Sequence, residues 1–257
     1  MDEATKIFTE VFCNVGRGIG QIGSFRYYAL AALDVITPAI LEDAATQLRS
    51  WEITGKLDSW FHGGRPSREA AMAEKGGLWG TAQEMTVRNV ADFRRVVDAA
   101  CLVLAHAMID AAAYDCCRIV SNVSPKALER FVDEKQVPLK VAREGAYEEL
   151  LANALQKFLG QLEKDSLLRK LDILHTVCKP DAGQVLVDGF TYDRERIEKL
   201  DSLRHDVAHG RHVKCPLRNG DADLEYLHGA CAYVIALVHM RYDVGVDDDY
   251  LAKVISG

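Results

Sequence analysis

The amino-acid sequence predicts an all-α protein, and three observations lead to that fold class. Strict alternation of apolar and polar residues is scarce, whereas Ala and Leu recur at helical spacing along most of the chain. Residues 88–120 carry apolar side chains on almost every face, as expected for the central helix of a bundle. The 257 residues are 49% hydrophobic, so the helices can bury a sizeable core.

The N-terminal part is predicted to hold one helix and two irregular segments. Residues 26–49 have helical periodicity, with a break expected near Pro38 because proline lacks a backbone donor. The stretch Gly18–Gly23 reads GIGQIG and matches a dinucleotide-binding fingerprint, but no βαβ pattern surrounds it. We interpret it as a flexible turn. Residues 62–80 are rich in glycine and polar residues, which predicts a loop or a domain boundary.

Three shorter helices are predicted after the central one. Pro125 suits the first position of a short helix, for which Ser124 is the expected N-cap. Residues 143–160 and 164–177 follow as helices, and Pro180 ends the second of them.

The C-terminal third is predicted to hold a small hairpin and two helices. Asp188 and Gly189 form a pair typical of a hairpin turn, which is the single strand signal in the chain. Asp193 is placed to cap the helix that begins RERIEKLDS. Asp221 or Asp223 starts the last long helix.

Charge and composition exclude some function classes. The net charge of −7 disfavours a protein coated with nucleic acid, although a local basic site remains compatible with it. The longest apolar run, residues 99–113, is interrupted by His106 and Asp110, so we expect no membrane span. The seven cysteines include no C-x-x-C pair, and the N-terminus lacks a basic leader. We therefore expect reduced thiols and a cytoplasmic protein.

The stretch LRHDVAHGRH, residues 203–212, concentrates three histidines, two arginines and an aspartate. From His205 it matches H-D-x-x-H, in which His205 and His209 share one helix face as in a zinc hydrolase. Asp206 then stands where such enzymes carry the longer glutamate. A third ligand is also needed, for which Glu225 and His212 are the candidates. A solvated helix end with no chemistry is a further interpretation of the same residues.

Arg204 and His209 form an R-x4-H pattern, which suits RNA cleavage without a metal. A histidine can move the proton of a ribose 2′-hydroxyl, and an arginine can stabilise the charge on the phosphate. Five residues of helix rotate about 500°, so the two side chains converge only at a helix end or between two chains. Gly210 predicts that the helix ends directly after His209. A basic strip follows, which we expect to bind RNA: Arg211, His212, Lys214 and Arg218.

The central helix carries polar residues on one face. His106, Asp110 and Tyr114 recur at a spacing of four, and burial of such groups is unfavourable without partners. Two interpretations stay open. Either His106 pairs with Asp110, or Asp110 faces Arg204 or His209 and orients that side chain.

These residues resemble the R-x4–6-H signature of the HEPN superfamily, a group of small helical domains. The stretch LRHDVAHG follows an amphipathic helix and precedes a long final helix, and the central helix supplies an inward acidic residue. The resemblance covers about residues 88–245 and implies a HEPN-like helical bundle over 86–246. Residues 1–85 are then a helical N-terminal extension of unknown role, and residues 247–257 a C-terminal tail.

The resemblance implies a metal-independent endoribonuclease that needs no cofactor and acts on RNA as a homodimer. Related proteins serve in toxin–antitoxin or phage-defence systems, with an antitoxin or another partner protein. Arg204 and His209 would be the catalytic pair, supported by His205, Asp110 and His106. Some toxins of the superfamily carry a modifiable tyrosine two residues after the histidine, and Arg211 stands there, so no such switch is expected. The alternatives are a non-catalytic interaction module and the zinc hydrolase.

Overall fold

The computed structural model describes residues 1–53, 77–132, 147–180, 186–210 and 220–256, and it contains no β-strand in these segments. The all-α class is therefore confirmed for the described part of the chain. The helices, numbered here in chain order, are α1 (Glu3–Ile53), α2 (Gly77–Val123), α3 (Pro125–Leu128), α4 (Tyr147–Leu162), α5 (Leu167–Cys178), α6 (Arg194–Ala208), α7 (Gly220–Tyr242) and α8 (Asp248–Ser256). A 3-10 turn over Glu129–Phe131 extends α3.

Helices α1 and α2 run antiparallel and are the two longest elements, with 51 and 47 residues. At about 1.5 Å per residue, each is on the order of 70 Å long. Their register is fixed where Met108 Sδ packs on Gly18, so closely that a Cβ at Gly18 would lie 2.5 Å from the sulfur. Between two and three turns further along, the Arg26 guanidinium donates to Asp98 at 2.7 Å.

The hydrophobic core lies around the C-terminal half of α2. Leu102, Ile109, Cys116 and Val120 are fully buried there, because α1, α5, α6 and α7 all pack against this helix. Side chains from the first turns of α1 belong to the same core as those of α2 and α7. The prediction that residues 88–120 form the central helix is confirmed.

Several predicted helix ends are confirmed. The Asp193 carboxylate accepts a hydrogen bond from the Arg196 amide at 3.1 Å and so caps α6. Pro125 stands at the first position of α3, although the Ser124 hydroxyl makes no capping bond. Helix α5 ends at Cys178, two residues before Pro180.

Two expectations for the N-terminal segment were wrong. The Gly18–Gly23 stretch is not a turn, because α1 runs through it without interruption. The same helix continues through Pro38, where a break was expected. Long-range packing against α2 overrides the low helix propensity of glycine and proline. The predicted loop at 62–80 lies mostly outside the described residues, and α2 begins inside it at Gly77.

The hairpin expected near the C-terminus needs correction. Gly189 has a φ of +72° and the Phe190 amide bonds to the Val187 carbonyl at 3.2 Å, so a turn forms as predicted. However, no paired strands flank it within residues 186–193. Residues 247–257, expected to be a tail, contain α8.

One described helix segment, Val90–Val123, is long and apolar enough to cross a membrane by length and composition alone. The expectation that no segment reaches the length of a membrane span is therefore not met. Half of the most apolar window is buried against other helices. A buried core helix of a protein outside the membrane passes the same test.

Candidate functional site

The R-x4-H residues lie at the C-terminal end of α6. The helix ends at Ala208, His209 is its C-cap with φ of −92° and ψ of 16°, and Gly210 follows with φ of +71°. The Gly210 amide donates to the Val207 carbonyl at 2.9 Å, which closes the last turn. The predicted helix end at Gly210 is thereby confirmed, because a left-handed residue there favours glycine.

The Arg204 side chain is held by a carboxylate of its own helix. Arg204 Nε and Nη2 donate to the same oxygen of Asp201, Oδ1, at 3.1 and 2.9 Å. Both side chains are partly buried, with 32% of Arg204 and 25% of Asp201 exposed. These two bonds use Nε and Nη2, so the guanidinium is held along one edge.

His106 lies beneath this ion pair on α2. Its Nε2 lies 2.9 Å from Asp201 Oδ1, the oxygen that also accepts from Arg204. Burial lowers the pKa of His106, and the Arg204 charge lowers it further, against the opposing effect of Asp201. A neutral imidazole therefore supports Asp201 from the core side at neutral pH.

His205 and His209 form a second group on α6. Their ring centroids are 4.3 Å apart with an interplanar angle of 61°, as expected for residues at i and i+4. Both residues are exposed. The last turn of α6 thus presents two imidazole rings side by side to solvent.

The two halves of the R-x4-H pattern point in different directions within one chain. Arg204 is tied to Asp201 beside α2, whereas His209 rests on the exposed ring of His205. Because α6 is helical through Ala208, about 140° separates the two side chains around the helix axis. A single chain therefore does not aim both groups at one phosphate.

Asp110 has a partner that neither sequence interpretation named. Both of its carboxylate oxygens accept from Lys170 Nζ, at 2.7 and 2.8 Å, and the same ammonium donates to the Glu163 carbonyl at 3.2 Å. The Lys170 side chain is only 1% exposed. The ammonium also lies 6.0 Å from the centre of the Tyr114 ring. Asp110 and Tyr114 therefore surround a buried lysine of α5 rather than His106 or Arg204.

The remaining predicted residues fall partly outside the described segments. Within the described segments, no three His, Cys, Asp or Glu side chains are grouped closely enough to hold a metal ion. His212, one of the two candidate third ligands, lies in 211–219, which the structure does not describe. The whole predicted RNA-binding strip lies there as well: Arg211, His212, Lys214 and Arg218.

Sequence reasoning missed Asp201 and Lys170. Asp201 precedes Arg204 by three residues, a spacing at which an acid and a base on one helix meet, so the sequence held a usable signal. Lys170 is 60 residues from its partner and sits in an amphipathic helix, where a lysine is normally exposed. No local sequence pattern predicts that Lys170 is buried.

Comparison with protein families, with curated proteins and with solved structures finds no match to this chain. The resemblance to HEPN domains consequently depends on the residues of α2 and α6 alone. Those residues supply an arginine fixed by an aspartate and a histidine pair at a helix end.

Proposed function

We propose that this protein is a metal-independent endoribonuclease that works as a homodimer. The observation that carries the proposal is the arrangement at the end of α6. Arg204 is fixed by Asp201 with Nη1 outside those bonds, and the exposed pair His205 and His209 follows it by one and five residues. A preoriented cation and a solvent-accessible imidazole are the two groups that RNA transesterification requires.

In the proposed reaction His209 removes the proton of a ribose 2′-hydroxyl. The 2′ oxygen then forms a bond to the adjacent phosphorus, and the bond from phosphorus to the 5′ oxygen breaks. The 5′ oxygen leaves with a proton from a second acid, for which the neighbouring ring of His205 is suited when protonated. The products are a 2′,3′-cyclic phosphate and a 5′-hydroxyl. Arg204 stabilises the charge that develops on the phosphate oxygens.

A composite site follows from the divergence of Arg204 and His209. Since one helix separates these side chains by about 140°, the phosphate is proposed to lie between Arg204 of one protomer and His209 of the other. The cationic residues Arg211, His212, Lys214 and Arg218 are proposed to bind the flanking phosphates. The proposal includes a cellular role in defence or as a toxin, with a regulatory partner protein, as the HEPN resemblance implies.

RNA cleavage in excess EDTA tests this function. Wild type, Arg204→Ala and His209→Ala would be compared, with Arg194→Ala as a matched control, because Arg194 pairs with Asp172 at the other end of α6. We expect cleavage by wild type and the control, cyclic phosphate ends, and at least about a 1,000-fold loss in both site variants. Absence of cleavage by wild type, or full activity in His209→Ala, would overturn the proposal.

A zinc hydrolase is a second candidate, favoured by the 4.3 Å separation of the His205 and His209 rings. Two imidazoles at i and i+4 can share one metal ion. Elemental analysis of the purified protein separates the two candidates. Stoichiometric zinc, together with activity that EDTA removes, would favour the hydrolase over the metal-independent nuclease.

A non-catalytic interaction module is the third candidate, and an exposed apolar surface on α1 and α2 favours it. Such a module would bind its partner without cleaving RNA. Wild-type protein that is inactive on RNA in the presence and absence of metal ions would favour this candidate.

A further inference from the structure

Helix α2 carries an apolar stripe on the side that faces away from the core. Positions along this stripe advance by three or four residues, the spacing of a helix that packs against another helix. Leu104 is 51% exposed and Phe93 50% exposed, although both lie on the central helix of the bundle. The stripe consists of Phe93, Val96, Ala100, Leu104, Ala107 and Ala111.

Helix α1 carries a matching stripe. Its members fall within about 100° of arc around the helix axis. Val35 is 77% exposed and Tyr28 is 69% exposed. The stripe consists of Phe25, Tyr28, Ala32, Val35, Ile36 and Ala39, all of them exposed.

The two stripes form one surface, here called the α1–α2 apolar face. Met108 packs on Gly18 between the helices, and both residues border the stripes on the helical wheel. The ion pairs that join α1 to α2 fall on other sides of both helices: Arg26 with Asp98, and Arg94 with Asp34. The ion pairs between α1 and α2 therefore lie on a different side of the helix pair from the α1–α2 apolar face.

The size of this face exceeds what a lone protein normally exposes. An aromatic ring that is half exposed leaves on the order of 100 Å² in solvent. Three such aromatics, four large aliphatic side chains and the intervening alanines approach the roughly 800 Å² per partner of a stable interface. The largest apolar patch on a typical monomer is about 300–600 Å². No helix in the described segments covers the face.

The charges at the ends of the α2 stripe indicate what covers it. At one end Asp92 pairs with Arg95 at 3.1 Å, and at the other Asp115 pairs with Arg118 at 2.9 Å. Both ends are therefore electrically balanced, unlike the cationic border of a surface that binds anionic lipid. An antiparallel copy of α2 centred near Leu104 would bring each acid–base pair beside the pair at the opposite end. The pattern is self-complementary, which is the property of a two-fold interface.

We propose that the α1–α2 apolar face binds the same face of a second copy of this chain, with α1 and α2 of both protomers forming a four-helix bundle. The alanines at 100, 107 and 111 allow the two α2 helices to approach closely, and the aromatic residues of α1 pack at the flanks. This interface does not depend on the nuclease proposal.

Light scattering after size-exclusion chromatography tests the interface on the full chain. Wild type would be compared with Leu104→Glu on α2 and Val35→Glu on α1. Met240→Glu is the matched control, since Met240 is 59% exposed on α7 and lies off the face. Circular dichroism spectra and unfolding midpoints identify the folded variants.

We expect a dimer for wild type and Met240→Glu at micromolar concentration, and folded monomers for both face variants, with dissociation constants raised at least about 100-fold. Each face variant that folds tests the interface independently of the other variant. A monomeric wild type, or a dimer that survives both substitutions, would overturn the proposal. Flotation with phosphatidylcholine vesicles that Leu104→Glu abolishes, without any dimer, would assign the face to a membrane instead.

Discussion

The Asp201 carboxylate binds the Arg204 guanidinium through a single oxygen, which accepts from Nε at 3.1 Å and from Nη2 at 2.9 Å. The same oxygen lies 2.9 Å from the buried ring of His106. Arg204 is therefore oriented by a carboxylate that is itself supported from the core. These contacts from α2 to the end of α6 hold Arg204 in one orientation, unlike an ordinary cationic side chain at the surface.

Replacing Asp201 by Asn should weaken the proposed RNA cleavage without unfolding the protein. The neutral amide holds the guanidinium less tightly, so a loss of about 10- to 100-fold in kcat is expected, with little change in KM. Asp172→Asn is the control, because Asp172 holds Arg194 by a similar pair of bonds far from the site. Single-turnover cleavage rates measure the effect. Equal rates for Asp201→Asn and wild type would contradict the positioning role.

Acidification should destabilise the fold before most carboxylates titrate. Burial lowers the pKa of three histidines, His106, His175 and His228, below the unfolded value. Below about pH 6.5 the unfolded chain therefore binds more protons than the folded chain. The free energy of unfolding is highest above this pH and falls as the pH drops below it. Urea midpoints at about pH 7.5 and about pH 5.5 should differ in that direction. A midpoint that rises on acidification would contradict this account.

His175 offers a sharper form of this test. Its ring lies 4.2 Å from the Tyr192 ring and 5.6 Å from the Tyr233 ring, and its buried Nε2 has no hydrogen-bond partner. His175→Phe should keep the aromatic packing, leave stability at neutral pH within about 1 kcal/mol of wild type and reduce the loss on acidification. Tyr192→Phe is the control, since burial raises the pKa of Tyr192 to about 12, outside this range.

The elements that the sequence predicted correctly have strong local signals. Asp193 caps α6 because a short acidic side chain before a helix accepts from its first amides. Gly210 ends the same helix because the chain there requires a positive φ. The central helix was evident from residues 88–120, whose apolar character exceeds what a surface helix needs.

The features that the sequence did not predict depend on contacts between distant residues. His106 meets Asp201 across 95 positions and Asp110 meets Lys170 across 60, and no local pattern specifies either contact. The exposed stripe of α2 was also hidden, because a helix that is apolar all round is expected to be buried all round. Its uncovered side became visible only once its neighbours in the fold were known.

The buried pair of Lys170 and Asp110 should contribute asymmetrically to stability. Asp110→Asn leaves the ammonium of Lys170 buried without its counter-charge, which should cost about 3 kcal/mol of unfolding free energy. Lys170→Met leaves a carboxylate that is 33% exposed and can reach water, so the loss should be nearer 1 kcal/mol. Urea unfolding of both single variants and of the double variant measures the difference. Equal losses, or a larger loss for Lys170→Met, would refute the asymmetry.

Substitution of glycine by alanine should have opposite effects on stability inside α1 and at the end of α6. Gly20 and Gly23 lie inside α1, with no heavy atom within 4 Å of an added Cβ, so Ala there should stabilise the protein by about 0.5–1 kcal/mol each. Gly210 has open space as well but a φ of +71°, so Gly210→Ala should destabilise by about 1 kcal/mol.

Thermal unfolding of the three variants tests the path of the backbone through GIGQIG and at the end of α6. The three positions are comparable because an added Cβ would meet no heavy atom within 4 Å at any of them. The sign of the change in unfolding temperature therefore reports the backbone conformation alone. If Gly20→Ala and Gly23→Ala lowered the unfolding temperature, the segment would need positive φ angles and α1 would not run through it. If Gly210→Ala raised it, α6 would continue beyond His209, and the proposed histidine would then lie within a helix rather than at its end.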